Sequence, residues 1–409
     1  MRACRKLGWN VACCRLDATF RHNLAVIDPL SLFRNGTSLL AWRNLAHDRA
    51  RFVVTLVGVV FAVLLMGVEL GLLVGFARTT SGLVEHAGAD LWVTPLGTTN
   101  VDIAGRLDER RRYEALAVPG VASVDKLMAQ FGFWKKPSGG TESVSVIGFN
   151  LATGKGAPWN LVEGNVADLQ QDDAVIIDKL YAEKLGVKGM GDTLELNGRR
   201  VRVVGFTDGL RTFTQSPYVF TTHSNALHLA GFADDLTTYL LVNLKPGADP
   251  ETVRRGLKQR LGQVDVWKAD AFALQAQKYW LITTGAGSAL LLAAALGLIV
   301  GIVIVGQTLY ATTVDRLPEY ATLRAIGAAN VYLYKVILKQ AVISAVLGFS
   351  IGLLGIFAVV ALTGRSNISL AMPVWLIGVL AVLTLLMCAF GAVISIRRVI
   401  SIEPTSVFQ

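Results

Sequence analysis

No cysteine lies between residues 77 and 280, which excludes a disulfide framework for the middle of this chain. The four cysteines are Cys4, Cys13, Cys14 and Cys388. Cys13 and Cys14 lack C-x-x-C spacing and a nearby histidine pair, so no metal site is expected there. Charge is scarce as well. Only 17% of the 409 residues are Asp, Glu, Lys or Arg, and mean hydropathy is +0.49. Soluble domains carry about 25% charged residues, so the composition points to a membrane protein.

Catalytic signatures are also missing. Gly186 to Asp192 keeps the glycine spacing of a phosphate-binding loop but has Asp where Lys is required, so ATP binding through such a loop is excluded. There is no H-E-x-x-H. The histidines His22, His47, His86, His223 and His228 do not cluster at ligand spacing. His223 and His228 read as solvated residues on a surface turn. Gly348-Phe349-Ser350-Ile351-Gly352 fits G-x-S-x-G, but that motif needs a strand–turn–helix setting with a histidine and an acid nearby. Here it lies in an uncharged apolar run and reads as small residues at a helix contact. No catalytic residue, bound cofactor or metal is therefore expected.

What is present is four long apolar runs. Phe52–Phe76 has a single charge, Glu69; Leu281–Tyr310, Ala341–Thr363 and Val374–Ile396 have none. About 20 helical residues cross a hydrocarbon core roughly 30 Å thick, so all four qualify as transmembrane helices. Residues 1–51 hold nine bases and three acids, and are read as a basic cytoplasmic segment with an amphipathic helix. Nucleic-acid binding is the weaker reading of that basic tail. Residues 1–35 read as poorly ordered, with the position of the true start left open. Arg316, Arg324, Lys335 and Lys339 follow the second span, and Arg397 and Arg398 the fourth, whereas only Arg365 separates the third and fourth. Both termini and the loop 311–340 are thus expected in the cytoplasm, with residues 77–280 outside. The fold class is an α-helical membrane protein of four transmembrane helices (1 + 3). A large α+β extracytoplasmic domain is inserted between the first and second. Residues 397–409 form a short tail.

Gly67, Gly71 and Gly75 repeat every fourth position in the first span, and Gly348 and Gly352 do so in the third. This spacing makes a smooth helix face, suited equally to packing within the bundle or to a dimer seam. Glu69 is the one ionisable group within a span, and an intramembrane polar site is a candidate role. In the large domain, Asp90–Thr94, Val144–Phe149, Val175–Asp178, Thr193–Leu196, Arg200–Phe206 and Tyr239–Leu244 read as strands. Asn197-Gly198 signals a two-residue hairpin, and Asp249-Pro250 starts a helix to about Leu261. A second helix is expected to begin near Ala269 and continue through Trp280 into the second span. Two subdomains are expected.

The loop 311–340 contains Pro318-Glu319-Tyr320-Ala321-Thr322-Leu323-Arg324-Ala325-Ile326-Gly327, a short helix opened by proline and closed by glycine. This segment resembles the coupling helix of the FtsX/MacB family of ABC transporter permeases. Ala89-Asp90-Leu91-Trp92-Val93 resembles the start of that family's periplasmic core domain, and Glu403-Pro404-Thr405 its C-terminal tail. The outer-domain start and the lack of a fused ATPase look most like the DevC branch. The resemblance implies an inner-membrane homodimer on which separate ATPase subunits bind the ATP. Glu319, Tyr320, Leu323, Arg324 and Gly327 would form the docking site. It further implies a periplasmic adaptor and an outer-membrane channel as partners, besides membrane lipids, with efflux as the activity. The alternative is a receptor or sensor with an extracytoplasmic ligand-binding domain.

Overall fold

The computed structural model describes residues 36–103, 105–231, 235–325, 330–364 and 368–400. Contacts divide the chain into two compact units. One comprises residues up to 58, 302–347 and 385 onward; the other comprises 59–301 and 348–384.

The described chain opens with α1 (Gly36–His47) and α2 (Arg49–His86). In α1, Ser38, Ala41 and Leu45 are buried while Trp42 and Arg43 are exposed, the helical period expected of an amphipathic segment. Helix α2 outruns the apolar stretch by ten residues. Nothing in Ala77–His86 breaks a helix: there is no proline, and Thr79, Thr80 and Ser81 donate their hydroxyls back to the carbonyls of Phe76 and Ala77. Gly88, at φ +70°, supplies the left-handed residue just beyond the end.

The inserted domain holds β1 (Leu91–Pro95), β2 (Leu107–Asp108), α3 (Arg111–Leu116), β3 (Val121–Lys135), β4 (Thr141–Phe149), β5 (Leu161–Gly164) and β6 (Ala174–Asp178). It continues with α4 (Ala182–Leu185), β7 (Thr193–Leu196), β8 (Arg199–Thr207), β9 (Tyr218–Thr222), α5 (His223–Ala230), β10 (Leu236–Thr237), β11 (Tyr239–Leu244), α6 (Pro250–Leu261), β12 (Val264–Lys268) and α7 (Ala269–Lys278). Ten strands join in one sheet of order β12-β1-β11-β3-β4-β9-β6-β8-β5, with β7 between β3 and β8. β3 is shared: Val121–Leu127 pairs with β11, and Met128–Lys135 with β4. The two expected subdomains are therefore lobes of one sheet, each with its own core. One core sets Leu91, Val93 and Leu240 against Ala115 of α3 and Leu257 of α6. The other sets Trp134, Val146 and Val219 against Leu227 of α5. A third cluster, around Trp92, Phe149, Tyr239 and Phe272, takes in Leu83, Val84 and Ala87, so the end of α2 is part of the domain core.

Local signals explain much of this layout. Asn197 (φ +50°) and Gly198 (φ +79°) make the two-residue hairpin between β7 and β8. Asp249 caps α6 through Thr252 N at 2.9 Å, with Pro250 in the first turn. β2, β3, β5, β9, β10 and β12 were not expected from the sequence. His223 is a correction. Rather than lying solvated on a turn, it is buried at the start of α5, with Nε2 3.2 Å from Thr237 Oγ1. Burial, with a smaller contribution from Lys126, pushes its pKa down to about 4. His228 is exposed as expected.

Three further apolar helices follow the domain: α8 (Ala286–Asp315), α10 (Asn330–Thr363) and α11 (Val374–Ile400), with short α9 (Leu317–Ala325) between the first two. With α2, four helices are long and apolar enough to cross a membrane. The expected unbroken helix from Ala269 into the second span is not found. After α7, residues Tyr279–Thr283 form a π-helical turn, and the chain then breaks at Gly285, φ +82°. The loop expected over 311–340 is largely helical, because α8 runs on to Asp315 and α10 begins at Asn330.

Candidate functional site

Helix α9 is the short element between two spans where docking was expected. Pro318 occupies its first turn, where no amide partner is lost, and Tyr320 N donates to Arg316 O at 3.0 Å. Glu319 projects outward, its side chain 64% exposed, and pairs with Arg316 at 3.1 Å. Tyr320 is only 6% exposed. Within this chain Tyr320 is therefore covered, while Glu319 beside it stays open. The backbone of Leu323 and Arg324 belongs to α9. Gly327 lies outside the described residues. Asp315, at the end of α8, bonds Arg51 at the start of α2, and Arg51 also pairs with Asp48 at 3.2 Å. Lys339 of α10 donates to Ser38 of α1 at 2.8 Å. Both links belong to the unit that holds α9.

The glycine faces are occupied by the same chain. A Cβ on Gly67 would overlap Ile356 Cδ1, and one on Gly75 would overlap the Ser369 carbonyl oxygen. One on Gly71 would lie 3.2 Å from the Met372 sulfur, and one on Gly352 2.7 Å from Val63 Cγ1. Gly348 is buried in α10. Backbone meets backbone here: Ala371 N donates to Gly71 O at 3.1 Å, and Ser369 Oγ to Gly75 O at 3.3 Å. Glu69 is half-buried in α2, and among the described residues no hydrogen bond or ion pair engages it.

Where the helices meet the inserted domain, aromatic rings form a continuous contact. Phe76 meets Phe213 edge-on at 5.3 Å, and Phe213 meets Trp280 at 4.8 Å. Trp280 Nε1 donates to Asp102 Oδ2 at 3.0 Å. Gln277 of α7 donates to Ser81 of α2 at 2.9 Å. Burial pushes Asp102 up to about 6, and the Trp280 bond opposes this only in part. A carboxyl whose folded pKa is raised contributes stability below its unfolded value, and that contribution is lost as pH rises through about 6. The difference is at most about 3 kcal/mol, at 1.36 kcal/mol per unit. Asp102→Asn keeps an oxygen for Trp280 and removes the charge. It is expected to add about 1–3 kcal/mol at pH 8 and nothing at pH 4. Thermal melts of the two proteins at both pH values check this; an equal effect at both would refute it.

Against known proteins, residues 52–260 match the MacB-like periplasmic core domain, and residues 291–404 the FtsX-like permease C-terminal domain. The first match alone covers just over half the chain. This chain belongs to the FtsX/MacB family of ABC transporter permeases. An uncharacterised ABC transporter permease of Mycobacterium tuberculosis is 25% identical over 381 residues, covering 90% of this permease and 98% of the relative. One of Mycobacterium bovis is 25% identical over 374 residues, with the same coverage. The crystallised periplasmic region of MacB from Actinobacillus actinomycetemcomitans aligns with 46% of this permease and 92% of its own chain, at a TM-score of 0.35 and 15% identity. The Asp102–Trp280 contact of the permease was not foreseen. Its partners are 178 residues apart, and a single Asp in a loop carries no spacing signal.

Proposed function

We propose that this permease couples ATP hydrolysis by a separate ABC ATPase subunit to movement of the inserted domain. It performs no chemistry of its own. The observation that carries this reading is α9: a short helix set between two membrane spans, with Tyr320 buried and Glu319 offered outward. Such a peg suits a groove on a partner. The basic residues after the second and fourth apolar runs favour a cytoplasmic α9 and termini, which leaves the domain outside. Two copies of the permease would work with two ATPases. An adaptor on the outer domain, leading to an outer-membrane channel, would make the direction export.

Arg324→Glu and Gly327→Pro are expected to reduce stimulation of a co-expressed ATPase from the same gene neighbourhood at least tenfold. A reversed charge, or a proline in place of the glycine that the sequence marks as the helix stop, alters the peg while the spans stay folded. ATPase assays in lipid discs, beside thermal melts of the permease, measure both properties. Undiminished stimulation in both variants would count against docking at α9.

A further inference from the structure

A cavity of about 490 Å³ opens where the last apolar turns of the spans give way to the inserted domain, and all its walls belong to one unit. Arg78, Thr79 and His86 of α2 form one wall, residues 209–211 a second, and residues 369–373, just before α11, a third. Arg78 is the second residue after the apolar run that ends at Phe76, and exposed Trp375 is the second residue of α11. Such aromatic rings favour the boundary between hydrocarbon and water, so the cavity lies at headgroup depth.

Its chemistry is one-sided. Two guanidinium groups line it and no carboxylate does. Arg211 is held in place, with Nη2 donating to Gly364 O at 2.8 Å. Arg78 makes no hydrogen bond or ion pair among the described residues. His86 donates Nδ1–H to Gly82 O at 2.8 Å and stacks on Trp159 at 4.4 Å, with ring planes 8° apart, so a flat apolar platform stands beside the charges. The arginine fork matches a phosphate in two parallel bonds, and a cavity of this size has room for more than the phosphate alone. We propose that this cavity binds the phosphate-ester headgroup of an anionic lipid from the leaflet on the side of the inserted domain. The headgroup phosphate lies between Arg78 and Arg211, and the acyl chains remain in the bilayer. A soluble phosphate would satisfy the same arginines, but the level of the cavity favours a ligand already held at the membrane surface.

The test uses the full chain in neutral detergent, titrated with short-chain phosphatidylglycerol, with diacylglycerol and with inorganic phosphate. Binding is read by native mass spectrometry and by the shift in melting temperature. One phosphatidylglycerol per chain is expected at low ligand excess, with inorganic phosphate and diacylglycerol each at least tenfold weaker. Arg78→Gln touches no structural contact and is expected to lower phosphatidylglycerol affinity about tenfold or more, with Arg78→Lys in between. Arg200→Gln, on the separate surface near Lys135, is expected to bind as the parent does. Equal binding by the parent and Arg78→Gln would overturn the proposal. So would equal losses in Arg78→Gln and Arg200→Gln. Inorganic phosphate binding as tightly as the lipid would also overturn it, by assigning the cavity to a soluble anion.

Discussion

Gly75→Leu is expected to yield no folded permease. The Ser369 carbonyl lies where the first side-chain carbon would have to go, and a backbone atom cannot rotate aside as a side chain can. Overpacking of a flexible site costs about 1–3 kcal/mol; here the α2 helix and the 369–371 segment must part, breaking the Ala371–Gly71 and Ser369–Gly75 bonds too. Gly75→Ala should already lower the melting temperature. Gly378→Ala is the contrasting substitution, because nothing lies within 4 Å of its new methyl. It should be neutral or gain up to about 1 kcal/mol from helix propensity. Size-exclusion profiles and melts in detergent separate these outcomes. A folded monomeric Gly75→Leu would show that this glycine face serves a second copy of the chain rather than its own 369–371 segment.

Asp178→Ala is expected to remove about 3–5 kcal/mol from the inserted domain. Asp178 is 1% exposed, and its two oxygens accept four bonds. They come from Thr207 Oγ1 at 2.9 Å, Leu210 N at 2.8 Å, Leu180 N at 3.0 Å and Gly209 N at 3.3 Å. Alanine leaves those donors without an acceptor and frees the 209–211 turn. Burial raises the carboxyl pKa, while the same four donors pull it down. Asp178→Asn keeps one acceptor oxygen and should lose about half as much. Denaturant unfolding followed by tryptophan emission measures both; a loss below about 1 kcal/mol for alanine would contradict this account.

The four spans and the insertion between the first and second were legible because lipid imposes a length and an apolar composition that no other setting demands. The ends of the helices were not. Hydropathy reports where the hydrocarbon stops, not where the helix does, so the last ten residues of α2 and the first eleven of α10 escaped notice. Strands with clean signals, such as Thr193–Leu196 with its Asn-Gly turn, were readable to the residue. β3 was not, although it is the longest, because its apolar residues do not keep one two-residue alternation along its length. At α9, proline, glutamate and glycine marked the peg, but burial of Tyr320 depends on contacts that no local pattern records. His223 was misread for the same reason.

The two connections to the inserted domain differ in stiffness. α2 enters as an unbroken helix whose tip is packed into the domain core, whereas the return path through Trp280 changes to a π turn and breaks at Gly285. A hinge between the domain and its spans therefore has a place on one stem only, the return segment between α7 and α8.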